Sequence, residues 1–281
     1  MWNLISVVIP TLGKRPDFLL AALSSVYSQK VSPIEVIVVN NGSNHNLGIN
    51  ETSPFPVREL RIPLNAGVAQ ARNFGACIAT GNYISFLDDD DFWDPEYLQR
   101  VAAVIHNSVP DIVLGRIDKF INGEKTAFMD ASKYLTKRNF QLFNPGATGS
   151  NTTVEKTSFL NLGGYDSSIV PAEDGALILD ALINNYQIIV EPLAISFMRI
   201  HELERLTDPK SSIPGYSSFF QKYKSDMKFT VRLYNRWRIS RERRKLNSNT
   251  INNLVYLYFS FLISVFRITP KKIWPIESLN K

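Results

Sequence analysis

Four consecutive carboxylates follow directly on an apolar, β-favouring run. Tyr83-Ile84-Ser85-Phe86-Leu87 leads straight into Asp88-Asp89-Asp90-Asp91. Carboxylates this close repel one another, so the run has to be solvated, paired with cations or wrapped around a metal ion. The lead-in has the length and composition of a short buried strand. A buried strand ending in acids presents them at its carboxyl end, which is where ligands bind in open α/β sheets. The stretch therefore asks for an α/β sheet with this strand inside it, and for a divalent-cation site that holds a phosphorylated ligand.

The flanking sequence supplies such a sheet. Leu4 to Ile9 is a continuous β-branched run closed by Pro10, and a loop with Gly13 and the cations Lys14 and Arg15 follows. Asp17 starts a helix with Phe18, Leu19, Ala22, Leu23 and Val26 on one face, and Ile34 to Val39 reads as a second buried strand ending in the turn Asn40-Asn41-Gly42-Ser43. A strand-loop-helix-strand order predicts a parallel sheet with right-handed crossovers. Further along, the pattern predicts a strand at Val57 to Ile62 and a helix over Val68 to Ala79 with Asn65 as its cap. It predicts a helix from Glu96 to His106 that Asp91 would cap, and a short strand at Asp111 to Leu114. Asp118 to Gly149 reads as irregular, with at most one hairpin. Glu173-Asp174 opens a helix to Asn184, two strands fall at Tyr186–Val190 and Ala194–Met198, and His201 to Pro214 reads as a loop.

The charge is unevenly distributed. From Lys222 to Lys281 there are 14 Lys and Arg against 3 Asp and Glu, so a basic tail follows a mildly acidic body. Such tails bind anionic surfaces, lipid or nucleic acid. Within the tail, Phe229, Leu233 and Trp237 share one helical face, with Lys228, Arg232 and Arg236 on another. The apolar, aromatic run Leu254 to Phe266 is 13 residues long. A spanning helix needs about 20. An interfacial helix held by its tyrosines and basic flanks is the expectation, with a dimer interface or core helix as the alternative. The aromatics cluster in that run rather than alternating with cations, which favours lipid over nucleic acid. The single cysteine, Cys77, excludes an intramolecular disulfide and a cysteine zinc cluster and suits a reducing compartment. Met1 to Pro10 reads as a strand start rather than a secretory signal.

Four stretches carry a family resemblance: Val7 to Thr11 (VVIPT), Glu35 to Ser43 (EVIVVNNGS), Asn65 to Asp91 and Ala172 to Leu182 (AEDGALILDAL). In order and spacing the chain resembles a family 2 glycosyltransferase of the bacterial surface-polysaccharide type. The likeness covers roughly residues 3 to 205, and Arg199-Ile200-His201 is similar to a late family segment. The resemblance implies a GT-A fold, a Rossmann-like, mostly parallel sheet flanked by helices, over residues 1–215. Residues 216–281 would form a helical, membrane-associating tail.

The resemblance also implies an activity: metal-dependent, inverting transfer of a hexosyl-type sugar from a nucleotide-diphosphate donor to a hydroxyl of a lipid-linked glycan acceptor. The enzyme would work in the cytoplasm, peripherally at the inner face of the membrane. Asp88 and Asp90 would hold Mn²⁺ or Mg²⁺, with His201 as a third ligand, and Asp88 and Asp89 would face the donor. Pro10, Thr11, Asn40, Asn41 and Arg72 would contact the nucleotide. Asp174 would be the general base and Glu173 would orient it or the acceptor. Asn40 and Leu12-Gly13 depart from the usual family residues, Asp at the first position and Tyr-Asn at the second. Asn40 can still accept through its side-chain oxygen but lacks the charge of a carboxylate, so a UDP-sugar is favoured with dTDP or GDP as options. The same departures motivate a rival reading, a lapsed GT-A protein that binds nucleotide sugar or glycan without turnover. A nucleic-acid partner is not expected.

Overall fold

The structure, a computed structural model, describes residues 4–49, 53–200 and 209–268. The first half is a parallel α/β unit: β1 (Ile5–Thr11), α1 (Pro16–Tyr27), β2 (Glu35–Asn40), β3 (Val57–Arg61), α2 (Val68–Ile78) and β4 (Tyr83–Phe86). Next come β5 (Phe92–Trp93), α3 (Tyr97–Ser108), β6 (Ile112–Ile121), β7 (Glu124–Met129), α4 (Lys137–Leu142), β8 (Thr152–Glu155) and α5 (Lys156–Asn161). The last elements are α6 (Glu173–Ile183), β9 (Ile188–Arg199), α7 (Pro209–Tyr223), α8 (Phe229–Leu246) and α9 (Thr250–Val265).

All nine strands join one sheet in the order β3-β2-β1-β4-β8-β6-β9-β5, with β7 paired to β6. β1 to β4 are parallel, and β6 and β9 run with them, while β5, β7 and β8 run against. Both faces are covered, which is why the strands read as unbroken apolar runs rather than alternating ones. Val7 and Ile9 pack with Leu23 and Val26 of α1 and Leu98 and Val101 of α3. Val8, Ile37 and Phe86 face the other way, towards α2, α6, α7 and α8. Gly75 lets α2 lie close to the sheet, since a Cβ there would meet Val8 Cγ1 at 2.4 Å.

Several local expectations are corrected. Pro10 does not end β1, which continues to Thr11 in register with Val39 and Asn40 of β2, because the ring removes a single ladder donor. Asn65 does not cap α2. It sits at φ 59°, with its N–H donating to the Asn41 carbonyl at 2.7 Å, and Gly67 takes the cap position. β6 runs on to Ile121 and forms the hairpin with β7, turning through Asn122 and Gly123 at φ 50° and 89°. Asn-Gly is the strongest short hairpin signal, but Gly115 and Arg116 interrupt the apolar pattern ahead of it. The two late strands are one, β9, with a bulge opposite the Gly115/Arg116 step of β6. Residues 209–214 open α7 rather than continue a loop.

The described part of the basic tail, to residue 268, is largely helical, and much of it shares the core of the sheet. Phe219, Tyr223, Met227, Val231, Leu233 and Tyr234 are buried in the same cluster as Val8 and Ile84. The Tyr223 hydroxyl donates to Asp180 of α6 at 2.9 Å, and Asn235 donates to the Gln141 carbonyl at 2.8 Å.

Candidate active site

The acids of residues 88–91 leave the end of β4 as a tight turn, with the Asp91 N–H donating to the Asp88 carbonyl at 3.1 Å. Each acid has its own partners. Asp88 accepts from Arg72 Nη2 at 2.6 Å. Asp89 accepts from Thr11 Oγ1 at 2.5 Å and from Arg15 Nη2 at 2.6 Å, and Asp90 accepts from Arg15 Nη1 at 2.6 Å. Of the three outcomes open to adjacent carboxylates, pairing with cations is the one found for Asp88, Asp89 and Asp90. Burial pushes the Asp89 carboxyl up to about 6, against the pull of Thr11 and Arg15. Arg15 was visible in the sequence as half of a cation pair after β1. Its role as a fork over two of the four acids depends on β1 and β4 being adjacent.

Asp91 is not a cap for α3. Its carboxylate accepts from the Ser150 hydroxyl and from the Arg199 N–H at 3.1 Å, so it ties the turn to β8 and to the end of β9. Burial and the neighbouring Asp90 and Asp88 push it well above the usual carboxylate range. Asp94 serves the start of α3 instead, accepting from the Glu96 N–H at 3.0 Å.

Across the cleft, α6 begins at Glu173, so Glu173 and Asp174 both lie in its first turn, where the helix dipole favours anions. Arg72, on α2 and 2% exposed, reaches them as well as Asp88. Its Nη1 donates to Glu173 Oε1 at 3.2 Å and to Asp174 Oδ1 at 3.1 Å. The guanidinium lies 5.1 Å from the centre of the Tyr165 ring. One arginine thus spans both halves of the cleft. Burial alone would lower its pKa, but Asp88 and Asp174 more than reverse that and hold it well above its ordinary value. Burial raises Asp174 well above the carboxylate range, and Arg72 draws it part of the way back. Among the described residues, the Arg72 Nε, the Glu173 Oε2 and the Tyr165 hydroxyl, all three buried, have no hydrogen-bond partner. Tyr165 is a site residue that periodicity does not reveal. It is placed by Asn73, whose amide bonds its carbonyl at 2.9 Å and its N–H at 2.8 Å.

Pro10 and Thr11 end β1 beside the acidic turn. Asn40 is fully buried, and its side chain is used inside its own turn. Oδ1 accepts from Gly42 and Ser43 at 3.3 and 3.0 Å, while Nδ2 donates to Glu59 at 3.0 Å. With its amide turned so that nitrogen faces an acceptor and oxygen a donor, Asn41 donates to the Thr11 carbonyl at 2.8 Å and accepts from the Gly67 N–H at 3.3 Å. His201 lies outside the described residues.

The family model for glycosyl transferase family 2 matches residues 6–159. The chain belongs to glycosyltransferase family 2. Among curated relatives of this family 2 chain, an uncharacterized glycosyltransferase of Haemophilus influenzae is 28% identical over 185 residues, covering 64% of this chain and 62% of the relative. EpsJ of Bacillus subtilis, an uncharacterized glycosyltransferase, is 31% identical over 144 residues, covering 49% and 41%. The chain thus spans less than two thirds of these relatives. Two solved structures share the fold. Staphylococcus aureus TarS 1–349 in complex with UDP-GlcNAc has a TM-score of 0.65 at 17% identity, over 96% of this chain and 82% of that one. The mannosyltransferase PcManGT of Pyrobaculum calidifontis, in complex with GDP-Man and Mn²⁺, has a TM-score of 0.63 at 16% identity, over 94% and 75%. The sheet and helices of this family 2 chain are therefore a GT-A fold.

The acidic turn suits a hard divalent cation. Asp88 and Asp90 offer oxygen donors only, and Mg²⁺ sites commonly combine one or two carboxylates with substrate phosphates. No group of three or more metal-ligating side chains occurs among the described residues.

Proposed function

We propose that this family 2 chain transfers a sugar from a nucleotide-diphosphate donor, a UDP-sugar by preference, to a hydroxyl of a lipid-linked glycan, with inversion, in cell-surface polysaccharide synthesis. The observation that carries the reading is that Asp88 and Asp174 are bound to one guanidinium. A residue for the donor side and a residue for the acceptor side are thereby held within one arginine's reach. The neighbours solved with UDP-GlcNAc and with GDP-Man support a sugar-nucleotide donor.

Asp88 and Asp90 would hold the divalent cation, with His201 as the proposed further ligand. When bound, that cation neutralises charge on the departing diphosphate as a Lewis acid. Thr11, Arg15 and Asp89 form the rim on which the donor rests, and Pro10, Asn40 and Asn41 shape the nucleotide end of the cleft. Asn40 acts through the turn it holds. Asp174 receives the acceptor's hydroxyl proton as the new bond forms between that oxygen and the anomeric carbon. The bond from the anomeric carbon to the diphosphate oxygen breaks at the same time, and the nucleoside diphosphate leaves. Inversion follows from this single displacement. Glu173 and Arg72 fix the position of Asp174. No helix among the described residues is long and apolar enough to cross a membrane. On this reading the basic tail would bring the enzyme to the inner face of the cytoplasmic membrane, where lipid-linked acceptors would be met.

The test is turnover of a panel of UDP-, dTDP- and GDP-sugars with Mn²⁺ and a lipid-linked acceptor, reading nucleoside diphosphate release and the anomeric configuration of the product. A second reading, a binder without turnover, draws on Asn40 being spent inside its turn. Donors that raise the melting temperature yet are never consumed would establish it and sink the transfer reading.

A further inference from the structure

The α9 helix carries apolar side chains over most of its circumference and yet has no buried residue. Its sequence from Thr250 to Val265 contains no charged side chain. A helix of that kind is normally found in a protein core or in lipid. One face is accounted for. It lies along α8, with Trp237 Nε1 donating to Ser260 Oγ at 3.1 Å, Trp237 and Tyr256 facing each other at 6.4 Å, and Phe229 edge-on to Phe266 at 5.4 Å. On the apolar face of α8, Leu233 is buried and Trp237 packs against α9, while Phe229 stays 63% exposed at the α9 end, and the larger exposed apolar surface is the outer face of α9.

That outer face is a single stripe. Ile251, Leu254, Leu257, Tyr258, Phe261 and Val265 recur at helical spacing and are 70, 62, 58, 60, 65 and 55% exposed. The 16-residue helix is about 24 Å long at 1.5 Å per residue, short of the roughly 30 Å of a bilayer core. It therefore has to lie along a surface, not through one. Cations mark its ends: Arg243, Arg244 and Lys245 finish α8, and Arg267 follows α9, all exposed. An isologous pairing of two copies through this stripe would bring these like charges together. An anionic bilayer complements them, and a helix with an apolar face and basic flanks is the form that binds such an interface.

We infer that the outer face of α9 is a lipid-docking surface. The Ile251–Val265 stripe enters the headgroup boundary of an anionic membrane, and the Arg243–Lys245 cluster with Arg267 engages its phosphates. This deepens the membrane placement proposed above and rests on it.

The experiment uses the full chain with vesicles of phosphatidylcholine alone and of equal parts phosphatidylcholine and phosphatidylglycerol, read by co-sedimentation. Binding to the anionic vesicles is expected, weakened at least about tenfold without phosphatidylglycerol, since each cation near the surface contributes a several-fold preference. Leu254→Glu with Phe261→Glu should abolish it. Both positions are exposed, so folding should survive, as an unchanged melting temperature would show. Undiminished binding by that double variant would overturn the inference. So would a wild-type dimer in lipid-free buffer that becomes monomeric in the variant, which would assign the stripe to a second copy. Donor hydrolysis measured on the same samples separates the two claims. Turnover without vesicle binding removes the docking surface alone, and vesicle binding without turnover removes the transfer reading alone.

Discussion

Arg72 and Asp174 are joined at 3.1 Å, although 102 positions separate them in the chain. The same guanidinium reaches Asp88 at 2.6 Å. Removing the arginine would leave Asp88, Glu173 and Asp174 without their common cation. Breaking a buried pair from one side costs on the order of 3–5 kcal/mol, so Arg72→Met should fold poorly. Arg72→Lys should keep the charge and most of the stability. A single ammonium has no fork with which to serve both sides, so turnover should fall at least about a hundredfold, of the order lost when a catalytic base is misplaced. Melting curves and donor turnover on the two variants separate charge from geometry.

Asp174→Asn should spare the fold and lose the reaction. The amide oxygen still accepts from Arg72, so the melting temperature should stay within a few degrees. The general-base contribution, about 10²–10⁴-fold, should disappear from transfer to acceptor. In the wild type, burial holds the Asp174 carboxyl well above its ordinary value. A base acts when deprotonated, so transfer should rise with pH through that raised pKa and fall on acidification. A pH profile of single-turnover transfer checks the sign.

Gly149 touches the same arginine. A Cβ at this position would lie 2.1 Å from Arg72 Nη2, and the Gly149 backbone amide favours the charged form of Asp174. Gly149→Ala should therefore push the guanidinium off its partners. Transfer should drop with little change in soluble yield, and kcat should fall more than KM rises.

Removing divalent cations with a chelator should stop turnover, and Mn²⁺ should restore it. Asp90→Asn should need more Mn²⁺ for half-maximal rate, because the site loses a charged oxygen donor while Arg15 keeps its other acceptor, Asp89. A titration of rate against Mn²⁺ reads this directly.

Away from the cleft, Glu35 gives a stability test. Burial pushes its carboxyl up, but bonds from Thr80, Ser6 and Arg58 outweigh this and hold it below the ordinary value of 4.5. A carboxylate with a depressed folded pKa adds stability above its unfolded pKa and loses it as pH falls through the folded one. Glu35→Gln should cost about 1–3 kcal/mol near neutral pH, the penalty for buried donors left poorly satisfied. The difference from wild type should shrink below about pH 4.5. Chemical denaturation at two pH values measures it.

By itself, the sequence determined the parallel β1–β4 unit, because β-branched runs of strand length separated by amphipathic helices admit little else. It also located the acidic turn, since β4 enters it directly, and the acid pair that opens α6. These are local signals, carried by neighbours in the chain. The tertiary structure decided which cation each acid meets. Arg15 reaches Asp89 and Asp90 because β1 lies beside β4, and Arg72 reaches Asp174 because α2 and α6 pack on one face of the sheet. It also decided that α8 packs Trp237 against α9, leaving the stripe of α9 outermost. Periodicity records how wide an apolar face is, but not which neighbour covers it. That depends on contacts between residues far apart in sequence, and those exist only once the chain has folded.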